Sequence, residues 1–376
     1  MKRWRLACLG VVAGAWALPA AAQDLVVRIG HVGPVSGSVA HLGKDNENGV
    51  RMAIDDLNAK RLKIGGRSAR FELVAEDDAG DPRQGASAAQ KLCDARVNGV
   101  VGHLNSGTTM PAARIYADCG LPHITPSATN PKLTQNGHRT TFRLLANDNA
   151  LGAGLALMAA NNLRLKTVAV VDDRSAYGQG VAEVFRKTAL SVGLNVVDEQ
   201  YTTDKATDFS AILTAIKAKA PDAIFFGGMD AQAGPMLRQM EQLGMGQVKL
   251  LGGDGLCTDK LPELAAGAKT VLNVVCAEGG ASLAKMPAGL AWKARYDAKF
   301  PNQFQVYSPY AYDAAMVLAD AMVKAGSADP AVYGPQLFKT DYQGVTARIA
   351  FDEYGELRNP AMTLYIYASG RKLPLN

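Results

Sequence analysis

The chain has 376 residues, of which 48% are hydrophobic and 7% aromatic, a globular composition long enough for two domains with real cores. Its formal charge is +5; the first 23 residues hold three of the 40 basic residues and none of the 35 acidic ones, so without them 37 minus 35 leaves +2. That near balance, with no basic cluster interleaved with aromatics, argues against a nucleic-acid partner.

Lys2, Arg3 and Arg5 precede an apolar run from Leu6 to Leu18, followed by Pro19 and AAAQ. This is the three-part pattern of a secretory signal peptide over residues 1–23 with cleavage near Ala22. The run is short for a membrane span, and Cys8 lies before most of it instead of at its end, where a lipid-anchored cysteine would stand. The expectation is a soluble, exported protein, periplasmic and monomeric. Export leaves Cys93, Cys119, Cys257 and Cys276 in a compartment that permits disulfides. Of the three pairings, Cys93 with Cys119 and Cys257 with Cys276 is favoured, because each pair is close in sequence and falls at the ends of neighbouring expected elements. No C-x-x-C or H-E-x-x-H spacing occurs, and His31, His41, His103, His123 and His138 are scattered, so neither metal nor cofactor is expected.

In chain order, residues 24–32 alternate as a strand, a Gly/Ser-rich loop spans 33–43, and a helix follows over 43–60 with Val50, Ala53, Ile54 and Leu57 on one face. A strand at 69–75 leads to Asp81 and Pro82, a helix cap and first helical position. Residues 97–104 form an apolar strand that runs into NSGTTMPAARIYADCG, and LPHIT (121–125) runs into PSATNP. Further units follow: TFRLLANDNALG with a helix to about Asn162, the strand KTVAVVDD, RSAYGQG opening a helix over 181–193, LNVVDEQ, a helix near 208–219, DAIFFGG, a helix to Leu243, and VKLLGGDG. Strands alternating with helices of this length predict α/β architecture with doubly wound parallel sheets, and one sheet cannot hold so many units, so two are expected. Two long amphipathic helices (286–301 and 309–326) come next, then two strand-like segments, 345–352 and 361–368, joined by a turn at Gly355.

The stretch from Gly102 to Thr134 sets two small-polar turns at the ends of consecutive short strands. Strand C-termini in open α/β sheets are where ligands sit, and a helix N-terminus offers unpaired N–H groups to a carboxylate or phosphate. The plain alternative is that these residues are ordinary caps and turns.

Several segments together resemble the leucine/isoleucine/valine-binding proteins, the periplasmic receptors of ABC transporters in the type I binding-protein class. The matching pieces are GPVSGSVAHLG, EDDAGDP, GHLNSGTTMPA, ITPSATNPKLT, YGQG, FFGG with PMLRQM, and GGDG, specific in their order and spacing more than singly. The resemblance implies two Rossmann-like lobes joined by three crossover segments, with lobe one at 24–147 plus 279–361 and lobe two at 148–278 plus 362–376. It implies an amino acid ligand clamped between them, an ABC permease as membrane partner, and no catalysis. Carried over by position, Ser106 and Thr129 hold the ligand carboxylate, with N–H groups around Gly107, Thr108, Ser127 and Ala128. Asp254 and the Thr129 hydroxyl hold the ammonium group, and Leu42, Tyr177 and Met229 form the walls. The family's cysteines at the positions of Gly80 and Asn105 are missing here, aromatics often found at 42 and 229 are aliphatic, and Asp254 stands where Glu is common.

Two other readings compete. A sensor of an amide or other small molecule uses the same fold. A serine hydrolase would use Ser106, but HLNSG lacks the strained G-x-S-x-G elbow and His103 falls on the opposite face of a continuing strand.

Overall fold

In a computed structural model of the protein, residues 24–375 are described, and the leader expected at 1–23 lies outside them. The first part of the chain runs β1 (Leu25–Gly33), α1 (Ala40–Ala59), β2 (Lys63–Ile64), β3 (Arg67–Asp77), α2 (Pro82–Asp94), β4 (Gly99–Gly102), α3 (Ser106–Asp118), β5 (His123–Thr125) and β6 (Thr141–Arg143). These strands form one sheet in the order β2-β3-β1-β4-β5-β6, parallel apart from the β2–β3 pair. The connections reverse direction between β1 and β4, which puts a crevice at the C-terminal ends of those strands. All four residues of β4 are buried, as a central parallel strand covered on both faces requires.

The chain then enters a second sheet through α4 (Asp148–Leu157), which ends in a π-helical turn over Met158–Asn162. There follow β7 (Thr167–Asp172), α5 (Ala176–Ser191), β8 (Asn195–Tyr201), α6 (Ser210–Lys217), β9 (Ala223–Gly227), α7 (Asp230–Gln242), β10 (Lys249–Gly252), α8 (Leu261–Leu264) and β11 (Val274–Glu278). It returns to the first lobe for α9 (Gly289–Lys299), α10 (Ser308–Ala325), α11 (Pro330–Leu337) and the small antiparallel pair β12 (Tyr342–Gln343) and β13 (Arg348–Ile349). A last crossing delivers β14 (Thr363–Ala368) and β15 (Arg371–Pro374) to the second sheet, whose order is β15-β14-β11-β10-β9-β7-β8 with β14 and β15 antiparallel.

Packing decides which lobe each segment serves. Val27, Ile29, Val101, Ile124 and Phe142 of the first sheet share a core with Trp292, Tyr296 and the face of α10 from Ala311 to Met322. In the second lobe Phe185 of α5 stacks on Phe225 of β9, with ring centroids 4.0 Å apart, among Leu151, Val170 and Val181. Disulfides join Cys93 to Cys119 and Cys257 to Cys276. The first ties the ends of α2 and α3; the second ties the turn after β10 to β11.

Two sequence expectations are corrected. Residues 345–352 and 361–368, expected as strand-like segments joined by a turn at Gly355, belong to different sheets: β13 pairs with β12, whereas β14 lies in the other lobe between β11 and β15. Gly355 closes only the Phe351–Leu357 bridge, with φ of 84° and a missing Cβ that would stand 2.2 Å from the Thr141 carbonyl oxygen, so the third crossover lies flat against β6. The helix after β7 starts at Ala176 instead of 181, because Ser175 caps it by accepting the Gly178 N–H at 2.9 Å. That earlier start places Tyr177 inside the first helical turn.

Candidate functional site

Between the lobes lies a cleft with about 220 Å³ of empty space, lined by Leu104, Asn105, Ser106, Ser127, Thr129, Tyr177, Met229, Asp254, Gly255 and Tyr307. The first lobe contributes the two polar turns. Ser106 is the first residue of α3, and the N–H groups of Ser106 and Gly107 have no carbonyl of their own helix to reach. The neighbouring turn is tied to it: the Thr125 hydroxyl donates to the His103 carbonyl at 2.9 Å and accepts the Ala128 N–H at 2.9 Å, and the Asn130 N–H donates to Ser106 Oγ at 3.2 Å. Beneath it, the fully buried Arg143 guanidinium donates to the Ala128 and Asn130 carbonyls at 2.8 and 2.9 Å and ion-pairs with Glu356. Burial alone would raise the Glu356 carboxyl, but Arg143 and Thr134 hold it below its ordinary value. Thr129 Oγ1, buried at the front of this turn, has no complete hydrogen bond among the described residues.

The second lobe contributes an acid under a phenol. Asp254 lies in the turn after β10, flanked by Gly253 and Gly255. A Cβ on Gly253 would stand 2.6 Å from the Tyr177 hydroxyl, and one on Gly255 would stand 2.7 Å from the Tyr177 ring and 2.8 Å from the Met229 sulfur. The pattern GGDG is therefore a steric one: only glycine on both sides of the acid lets Tyr177 and Met229 close over it. The Gly255 N–H donates to the Tyr177 hydroxyl at 3.1 Å. Asp254 is 1% exposed, and neither of its oxygens completes a hydrogen bond among the described residues. Burial pushes its carboxyl up to about 7, partly opposed by the Tyr177 and Tyr307 hydroxyls that face it.

Sequence reasoning missed several of these groups. Tyr307 precedes α10 and returns to the cleft only through the second crossover. Asp45 of α1 fixes it there by accepting the backbone N–H groups of Gln305, Val306, Tyr307 and Ser308 at 2.8 to 3.1 Å. Asp148, the first residue of α4, reads in sequence as a helix-terminal acid, yet it is fully buried and neither oxygen completes a hydrogen bond among the described residues. Burial first, then the Asp254 charge, pushes its carboxyl up to about 8. Leu104 and Asn105 immediately precede Ser106 and gave no separate signal.

Of the residues predicted from sequence, Ser106, Ser127, Thr129, Tyr177, Met229 and Asp254 come together in the lining. Leu42, Gly107, Thr108 and Ala128 lie outside it. Leu42 is buried one layer back in the cluster holding Leu104, Tyr177, Met229 and Tyr307. Thr108 and Ala128 already use their N–H groups on the Asn105 carbonyl and the Thr125 hydroxyl, which leaves them nothing to offer an anion. The Ser127 hydroxyl accepts from the Asn46 amide at 3.1 Å. His103 is engaged at both ring nitrogens, by Asp78 and by the Tyr116 hydroxyl at 3.0 Å each, and does not pair with Ser106.

Two doubly wound lobes closing over hydroxyls and helix N–H groups on one side and a buried acid on the other define a two-lobed small-molecule-binding protein. The family model described as "Periplasmic binding protein" matches residues 26–371, and the chain belongs to that family, one of substrate-binding transport proteins. A leucine-, isoleucine-, valine-, threonine- and alanine-binding protein of Pseudomonas aeruginosa is 32% identical over 90% of this chain and 89% of its own length. Among solved structures, a leucine-binding protein from Thermotoga maritima superposes with a TM-score of 0.84 at 26% identity, covering 93% of this chain and 98% of that one. A Streptococcus pneumoniae branched-chain amino acid transporter substrate-binding protein in complex with isoleucine gives 0.82 at 26% identity, covering 93% and 99%.

Proposed function

We propose that the protein is an exported receptor that captures a branched-chain aliphatic amino acid between its lobes and delivers it to an ABC permease. The observation that carries this reading is Asp254, a buried carboxyl whose oxygens complete no hydrogen bond among the described residues, across a small cleft from the Ser106 and Thr129 hydroxyls. A buried acid calls for a cation, and hydroxyl and N–H donors turned to the cleft call for an anion. An α-amino acid supplies both within one short molecule. Ser106, Thr129 and the first N–H groups of α3 take the carboxylate, Asp254 and Thr129 take the ammonium, and Leu104, Met229 and Tyr177, backed by Leu42, surround an aliphatic side chain. A plain carboxylate ligand would leave Asp254 buried without a cation.

The lobes are taken as residues 24–147 with 279–361 and 148–278 with 362–376, supported by the three chain crossings and the two cores. Closure brings Tyr177, Met229 and Asp254 onto a ligand held by the first lobe, so ligand favours the closed form through contacts that form alone makes. The leader at residues 1–23, cleaved near Ala22, supports export to the periplasm. The relatives named above bind amino acids of this class, and that likeness supports the same ligand class here.

The test is a thermal-shift screen of the twenty amino acids with small amides and carboxylates, followed by calorimetry on the tightest ligand. Leucine, isoleucine or valine is expected to give the largest shift. Asp254→Ala is expected to cost about 3 to 5 kcal/mol of binding; a loss smaller than about threefold in affinity, roughly 0.7 kcal/mol, would remove Asp254 from the site.

A further inference from the structure

Among the described residues, polar contacts made by His41 and Asn130 cross the cleft without lining it. The first is His41 Nε2 of α1 to Asp230 Oδ2 of α7, at 2.7 Å. The second is Asn130 Nδ2 of the first lobe to the Ala176 carbonyl of the second, also at 2.7 Å. Three of the four residues adjoin the pocket lining, since Asp230 follows Met229, Asn130 follows Thr129 and Ala176 precedes Tyr177, whereas His41 precedes Leu42, one layer back.

The His41–Asp230 contact is the stronger of the two. The Asp230 side chain is completely buried and that of His41 is 15% exposed, so water screens the pair little. Asp230 is the first residue of α7, where the helix N-terminus favours a carboxylate. Its Oδ2 also accepts the Thr258 hydroxyl at 2.6 Å from within its own lobe, while Oδ1 has no partner among the described residues. The second lobe therefore holds the acid in place by itself, and among the described residues His41 is the one side-chain donor to it that arrives from the other lobe. A group fixed on one lobe and met by a donor on the other is bonded only while the lobes are shut.

We propose that His41 and Asp230 form a latch that holds the closed lobes together without touching the ligand, and so sets how slowly the ligand leaves. His41 and Asp230 are positioning residues in this account: Asp230 fixes the backbone next to the wall residue Met229, and His41 fixes the backbone next to Leu42, which packs behind the wall. The inference rests on the closure mechanism proposed above.

Leucine is the probe. His41→Ala and Asp230→Asn are each expected to speed leucine release about tenfold with little change in association rate, the size of one charge-assisted hydrogen bond. The double variant is expected to be no faster than the faster single one, since the two residues serve one contact. Unchanged release in His41→Ala, or effects that simply add, overturns the latch. Asp230→Asn can weaken the second lobe, but His41→Ala leaves Asp230 with Thr258 and carries the test alone. Wild type that binds no leucine sinks the amino acid reading separately. The latch is then read from small-angle scattering of the ligand-free protein, where His41→Ala should be more expanded than wild type and equal radii of gyration overturn it.

Discussion

Asp254 shows what a single side chain gains from its neighbours' smallness. Because burial raises its carboxyl to about 7, the empty site is half protonated near neutrality. Its folded-state pKa lies above the unfolded value, so the ligand-free protein loses stability as pH rises from about 4 to about 7, and a bound ammonium restores it. Binding to the carboxylate form must therefore release a proton below about pH 7. Amino acid affinity is therefore expected to fall about tenfold per pH unit below 7, and calorimetry at pH 5.5 in buffers of different ionisation heat should register the released proton. A pH-independent affinity between 5 and 7 would remove the acid from the ammonium site. Gly255→Ala tests the steric half of the arrangement. The added methyl meets Tyr177 and Met229 at under 3 Å, so binding should weaken by about 1 to 3 kcal/mol. An isothermal titration indistinguishable from wild type would show that the lid can yield.

The β4–α3 and β5 turns were legible from sequence because a run of small polar residues after an apolar strand has few structural uses. Ser106, Ser127 and Thr129 could be picked out for that reason. What fastens the second turn was not legible: Arg143 lies at the end of β6 and its partner Glu356 on the third crossover, 213 residues later. Tyr307 and Asp148 were missed for the same reason, since their place in the cleft comes from chain crossings and neither stands in a local pattern. The turn expected at Gly355 does not join strands of one sheet, because alternation identifies a strand but not its partner.

Element β5 also carries a titratable group that the ligand site does not use. His123 is fully buried, its Nδ1–H donating to the Gly102 carbonyl at 3.2 Å and its Nε2 accepting from Thr141 at 2.9 Å. Burial lowers it to about 3, and likewise lowers His31 of β1 to about 4. For a base depressed in the folded state, the unfolded chain binds more protons below about 6.5, so this contribution is full above that pH and is lost as pH falls toward 3 to 4. The difference in melting temperature between wild type and His123→Gln should be largest above pH 7 and shrink on acidification. A difference that stays constant from pH 7.5 to 4.5 would mean that His123 is not held neutral.

At the scale of the whole molecule, neither lobe is a continuous piece of chain. The first sheet is complete by residue 143, yet its core needs α10, which ends at Ala325; the second needs β14 and β15, which end at Pro374. Three crossings link the lobes, so their relative motion is restricted close to rotation about one hinge, which suits a receptor read as open or shut.

The position of β14 and β15 has a further consequence for biogenesis. Tyr365 and Tyr367 of β14 are buried against the second lobe's core, so this lobe lacks part of its interior until almost the whole polypeptide is available. A chain emerging N-terminus first has neither core complete when its opening βα units appear. The helix α10 and the strand β15 that the two lobes need end within about fifty residues of one another, at Ala325 and Pro374.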